Sequence, residues 1–69
     1  MDDEWRPITE APNYSINKHG HMKNSRGQFV GVWFTLRGEV RVRLSVPGTG
    51  PVTFDVDQLV QNAFPEGNG

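Results

Sequence analysis

Between residues 29 and 46, apolar side chains fall on every second position. Val30, Val32, Phe34 and Leu36 alternate with other residues, and Val40, Val42, Leu44 and Val46 do the same. A period of two sends alternate side chains to one face, so two consecutive strands are predicted. A two-residue turn at Arg37-Gly38 places Val30, Val32 and Phe34 opposite Arg41 and Arg43. A three-residue loop, Arg37-Gly38-Glu39, keeps all eight apolar residues on one face. A slip of one residue turns every side chain over, so the second register is expected. Hairpin loops of that length usually carry their glycine last, whereas Gly38 would stand in the middle.

The next turn signal is Pro47-Gly48-Thr49-Gly50-Pro51, followed by the alternating Val52, Phe54 and Val56. A turn symmetric about Thr49 sets Val46 against Val52, Leu44 against Phe54 and Val42 against Val56. It also sets Arg43 against Asp55 and Arg41 against Asp57, pairs that favour that register. Asp57 suits the N-cap of a helix over residues 58–64, with Leu59, Val60, Ala63 and Phe64 on one face and Pro65 as its stop. Toward the N-terminus, Tyr14-Ser15-Ile16, a turn over residues 17–20 and His21-Met22-Lys23 predict a short hairpin. A second turn follows over residues 24–27, and no internal repeat is evident. The fold class expected is α+β: a small antiparallel β-sheet, made of a three-strand meander plus the N-terminal hairpin, with one short C-terminal α-helix packed on it. Phe29, Trp33, Thr35, Arg41, Arg43, Thr53 and Asp55 would line its other face.

At 69 residues the chain is expected to be a single domain, 1–69. Its ordered core would cover residues 5–64, with loose ends at 1–4 and 65–69. There is no cysteine, so no disulfide framework and no cysteine-ligated zinc. No apolar run approaches the roughly 20 residues that span a bilayer, and the N-terminus is acidic, unlike a signal peptide. A cytoplasmic location is the expectation.

The formal charge of −1 hides three blocks. Residues 1–16 carry Arg6 against Asp2, Asp3, Glu4 and Glu10, net −3; residues 17–44 carry Lys18, Lys23, Arg26, Arg37, Arg41 and Arg43 against Glu39, net +5. Residues 45–69 carry Asp55, Asp57 and Glu66, net −3. A basic middle can be a footprint for phosphate, or its strands can simply pair with the acidic ones. The nucleic-acid-binding candidates are Lys18, His19, His21, Lys23, Arg26, Arg37, Arg41 and Arg43. His19 and His21 are too few to make a zinc site, so no metal is expected. No serine sits in a nucleophile elbow and no loop is built for phosphate, so no catalytic residue and no cofactor is expected. Trp33, expected opposite Arg43 and beside Arg41, suits base stacking or a protein interface. The alternative is that Trp5, Pro7 and Ile8 fold over Trp33 and bury it.

Two stretches together resemble a known family. Glu4-Trp5-Arg6-Pro7-Ile8, then Tyr14 through Asn24, are similar to the NUMOD type-four motif, a nuclease-associated modular domain found ahead of HNH nuclease modules in phage and intron homing endonucleases. Tyr14, Ile16, Gly20, Met22 and Lys23 match it in identity or type; Asn17 stands where the family has Ser and His21 where it usually has Arg. Val40 to Leu44 and Phe54 to Pro65 look like the segment C-terminal to that motif in those enzymes, with Leu59, Val60, Ala63, Phe64 and Pro65 matching. Asp57 and Gln58 replace the usual His and Arg. The residues of the HNH finger are not among these 69. The resemblance therefore implies a phage-type module that binds double-stranded DNA weakly and with salt sensitivity, without cutting it. The alternatives are an adaptor or inhibitor acting on a host or phage protein, and a fragment whose nuclease finger comes from another chain.

Overall fold

A computed structural model describes residues 4–67. Arg6–Ile8 (β1), Ala11–Ile16 (β2) and Met22–Asn24 (β3) form one antiparallel sheet, with β2 in the middle. Trp33–Phe34 (β4), Val40–Val46 (β5) and Gly50–Asp55 (β6) form a second, with β5 in the middle. Helix Val56–Ala63 (α1) follows directly, then a 3-10 turn over Pro65–Gly67. The α+β class with a short C-terminal helix is the architecture seen. Of the ends expected to be loose, residues 1–3, 68 and 69 lie outside the described residues.

The N-terminal hairpin is larger than its alternation predicts. It pairs Ser15 with Lys23 and Ile16 with Met22, and β1 adds a third strand along β2. Residues 28–30 then run beside β3: the Asn24 N–H donates to the Gln28 carbonyl at 2.9 Å, Phe29 bridges Lys23, and the Val30 N–H donates to the Met22 carbonyl at 2.9 Å. Phe29 and Val30 therefore belong to the first sheet, and the single long strand expected from residue 29 does not form. Gly31 and Val32 carry the chain to the second sheet, where regular strand is confined to Trp33–Phe34.

Both registers of the second sheet keep the expected faces but move along by two residues. Phe34 pairs with Val40 and Trp33 with Arg41, around the loop Leu36-Arg37-Gly38. The Thr35 N–H donates to the Glu39 carbonyl at 2.8 Å, and the Gly38 N–H to the Thr35 carbonyl at 2.9 Å. Gly38 takes φ +83°, the left-handed conformation required of the last residue in such a loop. The apolar alternation is satisfied by either three-residue loop, and the backbone demand at the third position decides between them. The β5–β6 pairing moves for a similar reason. Pro47 occupies the second position of a turn closed by the Thr49 N–H on the Val46 carbonyl at 3.0 Å. Val46 then meets Gly50, Leu44 meets Val52, Val42 meets Phe54 and Arg43 meets Thr53.

The core lies between the two sheets and the helix. Ile8, Ala11, Ile16 and Met22 come from the first sheet, Val42 and Leu44 from the second, and Val56, Leu59 and Phe64 from the helical end. The β2–β3 turn approaches α1 so closely that a Cβ on Gly20 would stand 3.2 Å from a Val56 methyl. Gly20 also has φ +88°, a left-handed conformation that favours glycine.

The shifted register gives Asp55, rather than Asp57, the capping role. One Asp55 oxygen, Oδ1, accepts the N–H groups of Asp57 at 3.0 Å and Gln58 at 3.4 Å. The other, Oδ2, accepts Arg41 Nη1 at 2.6 Å across the sheet. The helix therefore begins at Val56 and ends at Ala63, one to two residues earlier than predicted. Asp55→Ala removes both interactions and should cost about 1–2 kcal/mol, mostly the cap. Asp55→Asn keeps the cap and loses only a surface ion pair, at most about 1 kcal/mol. Urea midpoints should rank wild type above Asn above Ala; equal Asn and Ala variants would show that the cap contributes nothing.

Candidate nucleic-acid interface

Three of the reversals share one construction. At Asn17 the side-chain Oδ1 accepts the N–H of His19 and of His21, each at 3.0 Å, while the Asn17 N–H donates to the His21 carbonyl at 3.0 Å. At Asn24 the same oxygen accepts Arg26 at 2.9 Å and Gln28 at 3.0 Å. At Thr35 the hydroxyl oxygen accepts the Glu39 N–H at 3.1 Å. In each, a side-chain oxygen satisfies loop amides that the strands leave unpaired. The loop residues are Lys18-His19-Gly20, Ser25-Arg26-Gly27 and Leu36-Arg37-Gly38, with a basic residue just before each glycine. The chain thus contains a short repeated turn that composition and periodicity do not reveal.

These turns carry most of the candidate cations. Lys18 and His19 stand exposed in the first, with His21 at its exit, its Nδ1 3.5 Å from the buried Asn17 amide nitrogen. Arg26 is exposed in the second and Arg37 in the third. The first and second turns lie at opposite ends of β3, a strand of three residues. Lys23, on β3, places its Nζ 4.2 Å from the centre of the Trp5 ring, and Trp5 lies 6.1 Å from Phe29, centre to centre. Phe29 is 73 % exposed. Apolar periodicity does not point to this Trp5–Lys23–Phe29 group; the clue to it is the second Asn-x-x-Gly turn, which folds Phe29 back beside Lys23.

Arg41 and Arg43 part company. Arg41 is held by Asp55 at 2.6 Å and by Glu39 at 2.9 Å, whereas Arg43, exposed on β5 across from Thr53, has no ion pair among the described residues. The expected Arg43–Asp55 and Arg41–Asp57 pairs are replaced by Arg41–Asp55 because the register moves. Trp33 accordingly faces Arg41, not Arg43. It remains 44 % exposed, since Trp5 packs on Phe29 and Lys23 and leaves Trp33 uncovered.

A second arginine also gathers acids. Arg6 Nε meets Glu4 at 2.8 Å, and its guanidinium pairs with Glu66. Its Nη1 donates to the Ala63 carbonyl at 2.7 Å, and it lies 4.4 Å over the Phe64 ring. Arg6 thus ties β1 to the last turn of α1, where a cation also suits the helix dipole. Arg6 and Arg41 together engage Glu4, Glu66, Glu39 and Asp55. Outside those clusters the described residues carry Lys18, Lys23, Arg26, Arg37 and Arg43 against Glu10 and Asp57, five minus two, or +3.

His19 and His21 have ring centres 6.2 Å apart. Among the described residues no group of three or more His, Cys, Asp or Glu is placed to hold a metal ion. No helix there is long and apolar enough to cross a membrane. Compared with family models, curated proteins and solved structures, the chain finds no match.

The Arg6 cluster sets an acid limit on stability. The Arg6 guanidinium, and a backbone hydrogen bond, hold the Glu66 carboxyl below the usual carboxylate range. A carboxyl lowered in the folded state stabilises the fold above its unfolded value, about pH 4.3, and loses that contribution as pH falls through its folded value. Glu66→Gln should therefore be less stable than wild type at neutral pH, and its stability should fall less on acidification. Urea midpoints taken from neutral to acid pH check this; parallel curves would remove Glu66 from the acid response.

Proposed function

We propose that this chain is a non-catalytic module that binds double-stranded DNA through phosphate contacts from its turns, in the cytoplasm of a phage-infected bacterium. The observation that carries the reading is the division of charge: two arginines gather four carboxylates, and Lys18, Arg26, Arg37 and Arg43 stand outside those clusters. Cations without local partners are the ones whose pairing with phosphate releases counterions. The Asn17, Asn24 and Thr35 hydrogen bonds hold three of those cations on fixed backbone, which lowers the entropy lost on contact. The resemblance to nuclease-associated modules supports the same ligand and supplies the phage setting. The Trp5–Phe29 pair beside Lys23 offers stacking surface next to charge.

Four phosphate contacts predict a slope of log affinity against log salt of about −3.6, and non-specific affinities on the order of 10⁻⁴–10⁻⁶ M. The combined variant Lys18→Ala, Arg26→Ala, Arg37→Ala should bind a mixed-sequence duplex at least about tenfold more weakly, with a slope near roughly −0.9. Fluorescence anisotropy across a salt series, alongside an amide-resolved NMR titration, measures both. Unchanged affinity and slope in the triple variant would overturn the assignment.

A further inference from the structure

Residues 29–36, Phe-Val-Gly-Val-Trp-Phe-Thr-Leu, hold no charged side chain. Four of the last five keep large exposed surfaces: Val32 at 43 %, Trp33 at 44 %, Phe34 at 71 %, and Leu36 fully exposed. Phe34 lies opposite Val40 and so shares the face that carries Val42 and Leu44 into the core. The core nevertheless ends at Val30 and Val40; beyond it Phe34 and Leu36 stay largely exposed, and Val32 is only partly covered. β4 is also an edge strand. The Thr35 N–H points into the sheet, at the Glu39 carbonyl. In an antiparallel ladder the direction alternates, so Trp33 also faces β5, while Phe34 turns its N–H and C=O groups outward and Val32, just before the strand, its C=O. Natural edges are blunted by shortness, lysine, proline or a bulge; this one carries no lysine, proline or bulge, and its two-residue length keeps the exposed ladder small.

We infer that β4 pairs with β4 of a second copy of this chain. The strand is self-complementary. With a two-fold axis at Trp33, antiparallel pairing sets Val32 of each copy opposite Phe34 of the other, and these are the residues whose backbone groups point outward. The two three-stranded sheets then become one of six strands, and Phe34 and Val32 of the two copies cover one another. The charge-free run lets the copies approach without local repulsion. Trp33 and Phe34 offer about 200 Å² of exposed aromatic surface per copy, on the scale of roughly 150–250 Å² for a whole aromatic side chain. Even with Val32 and Leu36 the interface falls below the roughly 1,200 Å² of a standard complex, so the dimer is weak. Arg37, in the loop that follows β4, is the one cation of the DNA reading beside this edge; Lys18, Arg26 and Arg43 lie on other elements.

Sedimentation equilibrium on the full chain, from about 10 µM to 1 mM, tests the inference over the range where weak association shows. The wild-type mass should rise from 7.8 kDa toward twice that value. Phe34→Lys, at an exposed position, should keep the dispersed amide spectrum and urea midpoint of the dilute wild type and weaken association at least about tenfold. Hydrogen exchange locates the contact: the Val32 and Phe34 amides should gain protection with concentration, and the Trp33 amide should not. A chain that stays monomeric at the highest concentration overturns the proposal. So does a dimer that Phe34→Lys leaves intact, or concentration-dependent protection confined to other strands. Association only with an added, different protein would overturn it too, and show that the edge serves that partner instead.

Discussion

The join between the second sheet and the helix rests on a single carboxylate. Asp55 ends β6 and begins α1 with no connecting residue, so the chain changes from extended to helical at that position. Its two oxygens divide the task, one taking the first free amides of the helix and the other the guanidinium of Arg41. The cap fixes where the helix starts, and the register set by the Pro47 turn brings Arg41 to the same carboxylate. Val56, Leu59 and Phe64 reach the core only because the helix starts there. A helix of eight residues has little stability alone and depends on that docking.

The alternation of apolar residues predicts which face each strand buries, and it does so correctly for β5 and β6. It carries no information about sliding by two residues, because such a slide returns every side chain to its own face. The decision falls to turn chemistry. Gly38 belongs at the last loop position and Pro47 at the second, and each moves its hairpin by one such step. The consequences for function are specific: Arg41 acquires Asp55, Arg43 loses a partner, and Trp33 comes to lie beside Arg41. The repeated turns are legible in principle, as Asn-x-x-Gly at 17–20 and 24–27, but the third uses threonine and breaks the pattern. The stretch from Val32 to Leu36 misleads for another reason. Its periodicity marks a buried face, and within one chain Phe34 and Leu36 stay largely exposed.

Formal charge is a poor guide to the surface of so small a protein. Four carboxylates are engaged by two arginines, each taking one acid two residues away and one far along the chain: Arg6 takes Glu4 and Glu66, Arg41 takes Glu39 and Asp55. The remaining cations sit mostly in loops whose backbone is held by side-chain amides and a hydroxyl. A near-neutral total therefore conceals a surface with acids gathered at two points and bases spread over three turns.

The Arg6 cluster has a geometric consequence. Glu4 and Glu66 both touch one guanidinium, so the backbone enters and leaves the domain at neighbouring points on its surface. A domain with neighbouring entry and exit adds little to the separation of the segments that flank it. Spliced into a surface loop of another protein, it would leave the flanking segments about as far apart as before, and the closure entropy of that loop would change little. The same salt bridges that hold β1 against α1 thus suit this unit to being carried as an insertion.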